Sequence, residues 1–195
     1  HIQVARRSVR IPKELYDSKH KKTAVAEYLG RNFAKELERH SFQAHGSGKS
    51  GIIQVTRCGQ EVLERTACEI DEKTGDVTVR FEVGFPARGR TIQAGELVKI
   101  LYQYLPACVE KALYYKNMDR NAVKQAAELS VDQEYIREQL KKEGLVAFVA
   151  DGSILPRESG VSQRPMKDAV PFASPDSMRI TMKLPYKGML TGMGI

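Results

Sequence analysis

Four apolar residues at one spacing set the first constraint on this chain. Val25, Leu29, Phe33 and Leu37 recur at every fourth position, so they share one helix face and that face must be buried. The stripe predicts an amphipathic helix of about 18 residues opening at Thr23, a side chain suited to cap it. Further on the period falls to two. Val77, Val79, Phe81 and Val83 alternate with polar neighbours, the pattern of a strand with one buried face. Separate blocks of the two periods make the fold class α+β. With 195 residues, 42% of them hydrophobic, the chain can bury a core as one large domain or two small ones.

The remaining elements follow from punctuation. Ile2, Val4, Val9 and Ile11 predict a strand over 2–11, broken by a bulge at Arg6-Arg7 and ended by Pro12. Strands are expected over 51–57, 60–70 and 76–83. The last two are joined by a turn at 71–76 in which Gly75 takes positive φ. Pro106 divides two helices, 92–105 and 106–117, meeting at a corner. Ser130-Val-Asp-Gln133 reads as a capping box and Gly144 as a terminating glycine, giving a helix over 131–143. A continuously apolar, well-buried strand is expected over 145–150, with a turn at Asp151-Gly152. Residues 156–176 contain four prolines and little periodicity. Two strands, 178–184 and 189–195, close the sequence. The expected architecture is a mainly antiparallel sheet shared by, or adjoining, the 51–83 and 177–195 strands. The 23–39 helix covers it, and the 92–143 helices form a separate layer.

Charge narrows the partner. The net charge is +7, and residues 1–60 supply all of it with 12 Lys+Arg against 5 Asp+Glu, while the remainder balances at 19 and 19. A basic region on a neutral body is the footprint of a polyanion-binding surface. Its candidate phosphate contacts are Arg6, Arg7, Arg10, Lys49 and Arg57. Gly46-Ser47-Gly48-Lys49-Ser50-Gly51 is a candidate backbone nest for a phosphodiester. It is not a P-loop. The first glycine of G-x-x-x-x-G-K-[ST] would fall at Gln43, and a helix precedes the loop where a P-loop needs a strand. Arg88 and Arg90, in Gly84-Phe-Pro-Ala-Arg-Gly-Arg90, add two guanidinium forks suited to phosphate. Phe42, Phe85 and Tyr16 lie near these cations and can stack on bases or pack in the core.

Other chemistry finds little support. His1, His20, His40 and His45 have no metal-binding spacing, and Cys58, Cys68 and Cys108 lack an evident histidine partner. Three cysteines without a CxxC pair speak against a disulfide framework and for a reducing compartment. Glu61 and Glu64 fall on opposite faces of a strand, and Asp151-Gly152 beside Arg157-Glu158 is explained by a turn. No catalytic residue and no metal ligand are nominated. No run approaches eighteen apolar residues, so neither a transmembrane helix nor a membrane partner is expected, and no signal peptide is recognised. The start at His1 reads as that of a fragment.

Five motifs in order carry a family resemblance. They are Gly46-Ser-Gly-Lys-Ser-Gly51, Gln60-Glu-Val-Leu-Glu-Arg-Thr66, Gly84-Phe-Pro-Ala-Arg-Gly-Arg90, Leu145-Val-Ala-Phe-Val-Ala-Asp-Gly-Ser-Ile-Leu-Pro-Arg-Glu-Ser-Gly160 and Thr191-Gly-Met-Gly-Ile195. Nearly the whole chain resembles the N-terminal region of the ATPases of the ABC class, a family of bacterial proteins and of a kinetoplastid mitochondrial RNA-binding ATPase of RNA editing. The resemblance implies an N-terminal accessory domain over 1–195, with a helix-plus-hairpin part (1–90), a helical part (91–144) and strands leading to the ATPase core (145–195). It places Walker A, signature and Walker B motifs after Ile195. This fragment is then expected to be no enzyme and to hold no cofactor, with ATP and Mg belonging to the parent chain. The implied partners are RNA, the parent's own ATPase core and a second copy in a homodimer. The implied location is intracellular: cytoplasmic in bacteria, mitochondrial matrix in kinetoplastids. Two functions stay open: an RNA-binding module, or a scaffold and dimerisation domain that packs on the core and helps gate nucleotide.

Overall fold

The computed structural model describes residues 1–56 and 58–195; the predicted strand end and candidate cation at Arg57 lie outside the described residues. The fold is α+β, with small antiparallel sheets and several helices. It divides into two compact units, 1–127 and 128–195.

In the first unit the predicted helix is α2, Lys19–His40. It starts earlier than the stripe indicates, because Lys19 to Lys22 favour helix and Thr23 fits inside it, its hydroxyl bonding the Lys19 carbonyl at 2.9 Å. Val25, Leu29, Phe33 and Leu37 are all within 1% of complete burial, each contributing about 1.5–3 kcal/mol. They pack against a three-stranded sheet of order β1 (Ile2–Val4), β4 (Val77–Val79) and β3 (Cys68–Ile70). Phe33 meets Phe81 edge to face, with ring centroids 5.7 Å apart. The segment after β1 is not a bulged strand. Arg6–Val9 form one helical turn, α1, which buries Val9 and reaches Ile11 by another route.

β2 (Ile53–Gln54) and β3 pair with consecutive halves of one extended run. Ile53 and Gln54 face Val83 and Glu82 of β5 (Glu82–Val83), while Cys68 to Ile70 face Val79 to Val77. The 71–76 turn forms as expected. Asp71 accepts the N–H groups of Lys73 and Thr74 at 2.9 and 2.7 Å, and Gly75 has φ +75°. The predicted strand over 60–70 shortens to Cys68–Ile70, because Val62 and Leu63 stand in solvent. Buried Glu27 of α2 holds this outlying loop. Its carboxylate pairs with Arg31 (3.1 Å) and Arg65 (3.3 Å), and Arg31 also donates to the Gly59 carbonyl at 2.6 Å. The Cys58 thiol lies beside the same carboxylate. Burial raises the pKa of that thiol, and the Glu27 contact raises it further. Cys68, fully buried nearby, is pushed up to about 12 by the same desolvation.

After β5 a two-residue hairpin, β6 (Ala87–Arg88) and β7 (Thr91–Ile92), leads into one helical run. This is α3 (Ala94–Lys99), a π-turn (Ile100–Tyr104) and α4 (Leu105–Leu113). The corner expected at Pro106 is absent. The wide turn lets the hydrogen-bond ladder step past the missing proline donor without breaking the helix. α4 packs on α2.

The next helix, α5, is Arg120–Lys142. It is capped by Asp119, which accepts the N–H groups of Asn121 and Ala122 at 3.0 and 3.1 Å. The Ser130 capping box is therefore not used; Ser130 lies buried inside the helix. Gly144 ends it as predicted, with φ +68° and the Leu145 N–H bonded to the Leu140 carbonyl.

The second unit contains the sheet β8 (Phe148–Ala150), β10 (Gly188–Gly194), β9 (Arg179–Leu184), in that order. The strands of 51–83 and those of 177–195 thus lie in separate sheets rather than a shared one. Met182 and Leu184 are buried and Thr181 and Lys183 exposed, as their alternation requires; β8 is only half-buried. Asp132, instead of belonging to a cap, accepts the N–H groups of Tyr186 and Lys187 at 2.9 Å each and fixes the 185–188 turn. The irregular segment folds back on itself. Phe172 donates to Ser153 and Met166 to Pro156, both at 2.9 Å.

Candidate nucleic-acid interface

The two glycine-rich loops are far apart in sequence and are locked together in space. Ser50 is the lock. Its buried hydroxyl donates to the Ser47 carbonyl at 2.6 Å and accepts the Ala87 N–H at 3.1 Å. The Ser47 N–H reaches the Ala87 carbonyl at 2.8 Å, and Gly51 and Gly84 bond backbone to backbone at 2.8 Å. The approach is so close that a Cβ on Gly84 would overlap the Lys49 carbonyl oxygen and the Ile52 side chain. A second tie comes from Glu96 of α3, which accepts the His45 N–H at 3.0 Å and the Lys99 ammonium at 2.5 Å. Lys99 first, then His45, holds that carboxyl below its ordinary pKa.

This scaffold presents Lys49, Arg88 and Arg90 to solvent. None of the three forms an ion pair among the described residues. By contrast, Lys19, Lys21, Lys22, Arg31 and Arg39 of the same basic third are paired with carboxylates. Arg6, Arg7 and Arg10 are also exposed, and their guanidiniums form no ion pair among the described residues, but they make a second group. The Arg6 N–H bonds Asp76 at 2.9 Å, so this cluster flanks the start of the extended run whose far end carries the glycine-rich loops. The sequence-nominated cations therefore fall into two groups, one at each end of 76–84.

Within the loop, the N–H groups of Ser47, Ser50 and Gly51 are taken up by the Ala87, Ser47 and Gly84 carbonyls. Those of Gly46, Gly48 and Lys49 have no protein acceptor among the described residues. The phosphate-facing backbone is thus smaller than a full six-residue nest. Nor does the loop fit a nucleotide's phosphates and metal. α2 precedes it and β2 follows it, and the Ser50 hydroxyl, where a P-loop holds its magnesium ligand, is buried against Ala87.

The aromatic candidates separate cleanly. Tyr16 is 3% exposed, lies under Lys13 at 4.6 Å and belongs to the core. Phe42 and Phe85 are 60% and 57% exposed. Phe42 borders a groove of about 690 Å³ between α2 and the β2–β5 strands. Sequence reading missed Ser50 as the keystone and Glu27 as the anchor of the neighbouring loop. A serine inside a glycine run and a glutamate on the α2 face next to Ala26 are their only signals.

Sequence comparison finds two matches along the chain. The N-terminal region of the ATPases of the ABC class matches residues 1–116, and the P-loop domain of the same family matches 119–195. The chain belongs to the ABC-class ATPases. No individual curated protein matches it. The 46–51 loop lies in the N-terminal match, outside the P-loop one. Among the described residues, no helix is long and apolar enough to cross a membrane.

Proposed function

We propose that residues 1–127 form an RNA-binding accessory domain of an ABC-class ATPase, gripping the phosphodiester backbone through Lys49, Arg88 and Arg90, with Arg6, Arg7 and Arg10 as a second contact. The observation that carries this reading is the Ser50 lock. It holds two basic loops on one side while leaving their cations unpaired. A cation already neutralised by a carboxylate gains little from a phosphate; a free one releases counterions when it binds. Guanidinium forks and backbone amides position a phosphate chain without reading its sequence. ATP and Mg then belong to the P-loop domain of the family.

Lys49→Glu and Arg88→Glu are each expected to weaken single-stranded RNA binding with little change in base preference. Removing one contact should lower the slope of log affinity against log salt by about 0.7. Charge reversal at Lys167, exposed and without an ion pair among the described residues, serves as the control. If both loop reversals leave affinity and slope intact, the loops are not an RNA surface. The chain itself is expected to turn over no ATP. Turnover abolished by Lys49→Ala would place a nucleotide site in the 46–51 loop after all.

A second reading, a scaffold or homodimerisation domain, is favoured by α3 and the π-turn. Val98, Leu101 and Tyr102 are exposed there. Sedimentation of the chain, with and without Tyr102→Glu, tests it. A dimer that Tyr102→Glu splits, with no RNA binding by either form, decides for the scaffold.

A further inference from the structure

We infer that Phe42 and Phe85 are a base-stacking pair, which makes the ligand of the glycine-rich loops a single strand with unpaired bases rather than a duplex. This rests on the RNA-binding reading above and deepens it.

Phe42 carries the argument. It follows the α2 C-cap, Ser41, and adopts φ +63°, the left-handed conformation that normally goes to glycine at this position. A Cβ there is disfavoured, more so for a bulky side chain. Strain of this kind persists where something else requires the residue. Packing does not require it, since more than half of the side chain lies in solvent. The backbone conformation is fixed instead by a 2.8 Å bond from the Phe42 N–H to the Gly51 carbonyl. The result is a ring held outward on a rigid corner.

The second ring stands on the adjoining segment. Gly51 donates to Gly84 at 2.8 Å, and Phe85 follows Gly84. One residue, Gly51, therefore ties together the backbones that carry the two exposed rings. Lys49 lies on the same loop, and Arg88 follows Phe85 on the other. Apolar faces interleaved with unpaired cations match a ligand that offers π-faces and phosphates in alternation. A duplex hides its base faces, and an apolar protein partner leaves the cations unanswered. Single-stranded nucleic acid meets both needs.

The test compares three fluorescently detected probes on the full chain: a 12-nucleotide single-stranded RNA, its duplex, and inorganic polyphosphate. Phe42→Leu and Phe85→Leu keep apolar bulk and remove the aromatic face. Each is expected to weaken single-strand binding about 5- to 150-fold and to leave duplex and polyphosphate binding unchanged. Phe42→Tyr should retain affinity. Phe42→Gly gives readouts of opposite sign: the melting temperature rises as the left-handed strain is relieved, while single-strand affinity falls. A lower melting temperature for Phe42→Gly would make the ring structural and overturn the inference. If the leucine variants bind the single strand as the parent does while Lys49→Glu weakens all three probes, stacking falls and the phosphate reading stands. If they change only the oligomeric state, the rings are protein contacts and the inference is again overturned. If the parent binds none of the probes, both readings fall.

Discussion

Glu27→Ala is expected to destabilise the first unit by about 2–4 kcal/mol, measured as the loss of unfolding free energy in urea. The residue is 5% exposed, and its carboxylate pairs with two guanidiniums and lies beside the Cys58 thiol. Breaking one side of a buried ion pair costs about 3–5 kcal/mol. Arg31 and Arg65 remain partly open to water and can be rehydrated, which moves the expectation about 1 kcal/mol below that range at both ends. Glu27→Gln keeps an acceptor and the volume, and should lose less. The same variants have a chemical readout. The Glu27 contact favours the protonated Cys58 thiol, so Glu27→Ala should bring its pKa down, enlarge the thiolate fraction and speed alkylation by iodoacetamide at neutral pH. An unchanged urea midpoint together with an unchanged alkylation rate would show that the 58–65 loop is held by something else.

The other large effect is expected at Gly84. Gly84→Val must push the Lys49 carbonyl aside, because backbone rather than a flexible side-chain tip occupies the space. The two backbone bonds from Gly84, to Gly51 and to Ile52, would both be lost. Overpacking at such a contact costs about 3 kcal/mol, and the loops that present Lys49 and Arg88 should separate. The melting temperature and the single-strand RNA affinity are expected to fall together. Gly95→Ala is the control: it lies in α3 with open space around a new Cβ, and should be neutral or stabilising by up to about 1 kcal/mol. A Gly84→Val protein with parental stability and parental RNA affinity would mean that the loops do not need each other.

The sequence makes α2 legible because its stripe is long enough to show a helical period, and the 71–76 turn because Asp71 and Gly75 sit at the positions its hydrogen bonds demand. Gly144 and the 180–184 alternation are readable for the same reason, while Met178 falls in a turn before the strand and stands exposed. What escapes is structure decided by distant atoms. Val62 and Leu63 look like strand residues until Glu27 draws Arg65 inward. Ser130 has the composition of a cap, but Asp119 takes that role and Asp132 serves the 185–188 turn. Arg6–Val9 is too short to display a helical period. At the candidate interface, the cations and both phenylalanines are visible from composition and spacing. Their gathering is not, since Ser50 and bare backbone groups perform it.

The π-turn at 100–104 makes the helical run a mechanism of two phases. An extra residue per turn rotates everything before it by roughly 100° relative to an α-helix. Downstream, Leu105, Cys108, Val109 and Ala112 are buried; upstream, Val98 is exposed and Glu96 holds the His45 amide. Tyr104, in the wide turn itself, stacks on His40 at the end of α2 with centroids 5.2 Å apart. Deleting one residue there would restore a regular helix with its core half still seated. Its first turns would then swing Glu96 off the loop by about a quarter of a revolution. A single inserted residue can thus set the angle at which the basic loops are offered, independently of the hydrophobic core behind them.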